Sequence, residues 1–159
     1  MKITLRGREM EIARLTDISV EIASVDLGAL SAAALYELQR HFASTARKYR
    51  HAFGAVKKSV RRGAEQIARQ LAGEAERRGR PEPRPPAALL TLNFKRVESA
   101  GYLMAFVAGL EELYVSERSK IPQQGEMERS ILDVRGIGFE ASKFCRLVAA
   151  AICETTVEV

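Results

Sequence analysis

Arg40, Arg47, Lys48, Arg50, Lys57, Lys58, Arg61 and Arg62 follow one another between Leu38 and Ala64 with no Asp or Glu among them, and Arg69 continues the series. Side chains of this kind bind anionic oxygen. A guanidinium forks onto two phosphate oxygens, and an ammonium acts as a mobile point charge. Held on one rigid surface without carboxylates between them, such cations make a dock for a polyanion. These nine residues form the candidate anion-binding set. Its first partner is a nucleic-acid backbone and its second an acidic protein surface. Beyond Ala64 the charge is diluted, because Glu65 is spaced to pair with Arg61 and Arg69 on a helix.

The other reactive residue types do not converge on a reaction. His41 and His51 are the only histidines, and neither matches a metal-ligand spacing with Cys145 or Cys153. No nucleophile elbow marks a serine or cysteine for acyl chemistry. Gly136-Ile-Gly138 lacks the preceding strand of a phosphate loop and is read as a turn. Glu111 and Glu112 are adjacent, so on a helix they point about 100° apart. Glu126, Glu128 and Asp133 fall in an expected loop, and the Glu-x-x-His pairs of a helical di-iron site are absent. The sequence therefore designates no catalytic residue, no metal ligand and no cofactor, and the expectation is a protein that is not an enzyme. Phe42, Tyr49 and Phe53 fall on an apolar stripe, which sets them aside as base-stacking platforms and makes Phe53 a packed residue.

The elements that must position this set follow from hydrophobic period. The chain has 159 residues, 47% hydrophobic and 28% charged, enough for one domain with a real core. Its net charge of +5 is concentrated: residues 39–84 hold thirteen Lys and Arg against four Asp and Glu. Residues 1–25 alternate with period two through Ile3, Leu5, Met10, Ile12, Ile18, Val20 and Ile22, which predicts a three-stranded antiparallel meander. Gly7-Arg8 and Thr16-Asp17 supply its turns.

Leu35, Leu38, Phe42, Ala46, Tyr49, Phe53, Val56, Val60, Ala64, Ile67 and Leu71 then keep the α-helical period. They predict one long basic amphipathic helix over 26–79, capped by Asp26 or Ser31, with its phase held across Gly54 and Gly63. The proline run at 80–86 is a stiff connector. A second long helix is predicted over 87–118, buried all round near Ala100–Leu110, with Gly101, Ala105 and Gly109 at its closest crossing. A loop with a short helix over Met127–Val134 fills 119–138, and a shorter C-terminal helix covers 139–154. The tail has strand chemistry suited to the N-terminal sheet. The expected fold is thus α+β and predominantly α, with a small N-terminal meander, a long helical hairpin and a C-terminal helix.

A straight helix from Leu35 to Leu71 would measure ~54 Å, against a domain diameter of about 40 Å. On that geometry it bends or protrudes, and its exposed stripe favours self-association. The longest uncharged apolar run, Ala100–Leu110, is short of the ~20 residues of a membrane span, and Met1-Lys2 opens no signal sequence. Cys145 and Cys153 are too far apart for a disulfide within one helix, so two thiols favour a reducing, cytoplasmic setting.

Met1-Lys-Ile-Thr-Leu-Arg-Gly-Arg8 resembles the first strand of ribosome hibernation factors. Val60-Arg-Arg-Gly-Ala-Glu-Gln-Ile-Ala-Arg69 resembles the basic helix of some phage tail-completion proteins. Each likeness is confined to those residues, and no functional residue carries over from either. The expected function is a nucleic-acid-binding subunit making backbone contacts without base specificity. The alternative is a structural or assembly protein, of viral or phage type, that binds copies of itself or another subunit through the hairpin. A small helical enzyme with a pocket near 121–138 is the minor alternative.

Overall fold

The computed structural model describes residues 2–5, 8–11, 18–94, 96–119, 128–153 and 155–158. Gly7 of the expected Gly7-Arg8 turn, the expected turn at Thr16-Asp17 and the 120–127 part of the loop expected over 119–138 lie outside them. The fold is α+β and predominantly helical. Strands β1 (Lys2–Leu5) and β2 (Arg8–Glu11) lead to β3 (Ile18–Asp26), a single 3-10 turn at Leu27–Ala29, and helices α1 (Ala32–Lys48) and α2 (Ala55–Gly79). Then come β4 (Leu89–Phe94), α3 (Val97–Ser119), α4 (Glu128–Cys153) and β5 (Thr155–Glu158).

Three expected boundaries and one expected strand pairing are corrected. The helix read over 26–79 is two antiparallel helices, α1 and α2, joined by a turn at Tyr49–Gly54. The apolar period survives the break because Phe53 and Val56 occupy stripe positions without being buried. Folding the helix in two removes the length argument for a protruding stripe. The helix read from 87 begins at Val97, and the residues before it form β4. Leu90, Leu92 and Phe94 are buried in strict alternation there, a period-two pattern hidden by the helical spacing of Leu89 and Leu92. The short helix at 127–134, the turn at Gly136–Gly138 and the helix at 139–154 are one helix, α4, which at 26 residues is the longest of the four. The three N-terminal strands are not one meander: β1 pairs antiparallel with β2 and with β5, whereas β3 pairs with β4. The tail thus joins the N-terminal sheet, with Ile3 opposite both Met10 and Val157.

Of the two proposed caps for the long helix, Ser31 caps α1, and Asp26 caps the 3-10 turn before it instead. The Asp26 carboxylate accepts from the Gly28 amide at 2.9 Å, and the Ser31 hydroxyl accepts from the Ala34 amide at 3.1 Å. The four helices contact one another in a ring, α1 with α2, α2 with α3, α3 with α4 and α4 with α1. Their inner faces meet around Phe42, whose ring stands edge-on to Phe106 at 6.4 Å and Phe144 at 6.3 Å. Leu35, Leu38, Ile67, Leu71, Leu103, Val107 and Val148 are among the other members of this core, which also takes in Leu90, Leu92 and Phe94 of β4.

The small residues Gly101, Ala105 and Gly109 do not mark the closest crossing; all three are exposed. α3 turns Ala100, Leu103, Val107, Leu110 and Tyr114 inward instead. The close approach is at Gly63 on α2, where a Cβ would fall inside the Leu103 side chain.

The β3–β4 pair runs in register from Ile18 opposite Phe94 to Ile22 opposite Leu90, so β4 has one edge left to satisfy. Two α2 glutamines satisfy it. The Gln70 side-chain amide donates to Thr91 O at 2.7 Å while its oxygen accepts from Thr91 N at 2.8 Å. Gln66 repeats the exchange with Asn93 at 2.9 and 2.8 Å. One helical turn separates the two glutamines and one two-residue repeat separates their partners, so the side chains act as a missing strand.

Candidate anion-binding tip

The turn between α1 and α2 collects the basic residues. Arg47 and Lys48 close α1, Arg50 lies in the turn, and Lys57, Lys58, Arg61 and Arg62 open α2. From Arg47 to Lys58 every side chain is exposed except half-buried Tyr49 and Ala52. The predicted straight basic face is therefore a compact tip, with Arg40 and Arg69 set back along its two arms.

The turn is built from backbone hydrogen bonds and one glycine. Tyr49 N donates to Thr45 O at 3.1 Å, Arg50 N to Arg47 O at 3.2 Å, and Ala52 N to Tyr49 O at 3.2 Å. Gly54, at φ 98°, then reverses the chain in a conformation that L side chains avoid. It is also the N-cap of α2 and offers no side chain to the free amides of the first turn. Arg61 pins this corner from below, its Nη1 donating to Arg50 O at 3.0 Å.

The nine candidates divide by environment. Arg40 is held by Glu37 through contacts of 2.8 to 3.2 Å, and that carboxylate raises its pKa further, so most of its charge is already answered. Arg61 serves the turn and lies 3.9 Å from Glu65. Lys48 places its ammonium over the Tyr49 ring, 5.7 Å from the centroid. Arg47, Lys48, Arg50, Lys57, Lys58, Arg62 and Arg69 form no ion pair among the described residues. Arg62 and Arg69 instead flank a cleft of about 320 Å³ between α2, β4 and the start of α3. It is lined also by Glu65, Asn93 and the hydrogen-bonded hydroxyls of Ser59 and Ser99, 3.1 Å apart.

Helix electrostatics separates the two sides of the tip. Arg47 and Lys48 sit in the last turn of α1, where cations answer the partial negative charge of the helix end. Lys57 and Lys58 stand at the opposite pole, in the uncapped opening of α2, with no acidic residue in its first turn. There the helix already concentrates partial positive charge, which makes the site attractive to an anion.

Sequence reasoning missed two tip residues. Phe53, expected to be packed, is 91% exposed, and Val56 is 52% exposed. Gly54 was the available signal: a glycine inside an apparent helix is also a turn residue. Elsewhere, the two cysteines are free, with Cys145 buried and Cys153 exposed on the same helix. Burial, with a smaller contribution from Glu111, pushes the Cys145 thiol up to about 12, which makes it inert at neutral pH. No group of His, Cys, Asp and Glu able to hold a metal occurs among the described residues, nor does a helix long and apolar enough to cross a membrane. No protein-family model matches the chain, and no curated protein or solved structure is significantly similar to it.

Proposed function

We propose that the chain is a non-enzymatic subunit whose α1–α2 tip binds the sugar-phosphate backbone of a nucleic acid without reading base sequence through hydrogen bonds. The observation that supports this reading best is the acid-free cationic cluster at the uncapped start of α2. Lys57 and Lys58 are placed where they disfavour the isolated helix and where a phosphate would relieve the repulsion. Arg47, Arg50 and Arg62 add forked donors around it, and Arg69 extends the track toward the cleft beside β4.

The test is fluorescence anisotropy of labelled duplex and single strand over a salt series. Five to six engaged phosphates on a duplex give a log–log slope of about −5, at ~0.9 per phosphate. The double variant Lys57→Glu/Lys58→Glu should abolish binding at moderate salt. A slope near zero, or binding unaffected by the double reversal, would remove the proposal.

A second reading, an assembly subunit that binds copies of itself, draws on a different surface. Leu113 and Val115 on α3 and Phe139 on α4 are 44%, 40% and 55% exposed. Sedimentation without nucleic acid separates the two: salt-insensitive oligomers support assembly, and a monomer at all salts supports the tip alone.

A further inference from the structure

Building on the backbone-binding reading, we infer that Phe53 is a base-stacking residue and that the nucleic acid held by this tip is single-stranded. A phenylalanine left in water forgoes the burial that makes it useful to a fold, and at 91% exposure this one forgoes nearly all of it. Its position is set by the turn. Ala52 is tied back to Tyr49 by a backbone hydrogen bond of 3.2 Å, and Gly54 at φ 98° reverses the chain directly afterwards. Phe53 is thereby displayed at a defined corner, with Arg50 before it and Lys57 and Lys58 after it, all exposed.

A ring among phosphate-binding cations has a matching ligand in a flexible strand. The cations hold successive phosphates while the ring takes the face of the base between them, a contact that tolerates any base. A duplex offers no such face, since its bases cover one another, and wedging the ring between pairs would cost unstacking energy. An anionic bilayer is the weaker match. Phe53 and Val56 are a small apolar payload compared with the continuous face of a membrane-surface helix. Tip-to-tip pairing of two copies is opposed by the seven cations that each would bring between Arg47 and Arg62.

The protein contains no tryptophan, so Phe53→Trp installs a single tryptophan, selectively excited beside the four tyrosines, at the point of contact. The full chain is titrated with oligothymidylate, with a strand of equal length whose sites are abasic, and with a duplex. Phe53→Ala should weaken oligothymidylate binding by between about five- and 150-fold, the range for one stacked base. The same variant should leave the salt slope, the abasic strand and the duplex unaffected. Phe53→Trp should retain affinity and lose fluorescence on oligothymidylate but not on the abasic strand.

If Phe53→Ala binds oligothymidylate like wild type while Lys57→Glu/Lys58→Glu abolishes binding, this inference falls and the backbone reading stands. If the wild type binds none of the three probes, both fall. Binding of Phe53→Trp to phosphatidylserine–phosphatidylcholine vesicles in preference to every oligonucleotide would likewise overturn both. The exposure of Phe53 leaves folding intact in these variants, and circular dichroism checks it.

Discussion

Lys57 and Lys58 occupy a position that the fold alone would give to acids. The first turn of a helix carries partial positive charge, its amides at Gly54–Lys57 receive no side-chain cap, and neither lysine meets a carboxylate among the described residues. Reversing such charges removes a repulsion and adds an attraction, each worth about 0.3–1 kcal/mol at an exposed helix end. Lys57→Glu/Lys58→Glu should therefore raise the urea midpoint of unfolding while it abolishes polyanion binding. A variant that lost binding because it lost structure would show a lower midpoint instead. At this scale the sequence is informative about residue type and poor about exposure. All nine cations could be named from it, but the pairing of Arg40 with Glu37 and the use of Arg61 to fasten the turn depend on rotamers and on neighbours across the corner.

Strand β4 shows why an element can escape notice. Its six residues, LLTLNF, fit either period, and β3, the strand that completes its pairing, lies more than sixty residues earlier in the chain. Its other edge is completed by Gln66 and Gln70, which look like ordinary solvent-facing polar residues of α2. The two glutamines should differ in weight. Thr91 is half-buried, so Gln70→Ala leaves an amide and a carbonyl short of water and should cost about 1–3 kcal/mol. Asn93 is exposed, water replaces the lost partner, and Gln66→Ala should cost less. Denaturant unfolding of both variants checks the order. α4 escaped in the opposite way: Gly136 and Gly138 read as a turn, yet the helix runs through both. A glycine costs a helix only about 1 kcal/mol, which packing of Ala141, Phe144, Cys145 and Val148 offsets.

Across the whole molecule, the far end of α2 is locked by a buried charge. The Glu74 carboxylate is almost fully covered and takes Arg77 at 2.6 and 2.8 Å and Arg78 at 2.9 Å. Arg78 in turn donates to Leu27 O at 3.0 Å and Leu30 O at 2.6 Å, fastening the 3-10 turn before α1 to the end of α2. The Arg77 hydrogen bonds, with the one from Arg78, hold Glu74 below its ordinary value of 4.5 despite burial. Since the folded pKa lies below the unfolded one, this contribution to stability is complete above pH 4.5 and is lost as pH falls through the lowered folded value. Glu74→Gln should lower stability at neutral pH and flatten the acid limb of the stability profile. An acid limb unchanged by the substitution would assign the loss to other carboxylates.

Periodicity and composition by themselves determined the helical character, the presence of strand-forming ends, the Ser31 cap and the location of the positive charge, because each depends on residues near one another in the chain. Tertiary structure decided the rest. Gly54 turns the helix because the two halves bury their apolar faces against each other and against α3 and α4. That reversal converts a basic stripe into a tip and moves Phe53 from an apparent core position into water. Which face of a helix is inside is settled by the partner packed against it, and a period of 3.6 residues carries no record of that partner.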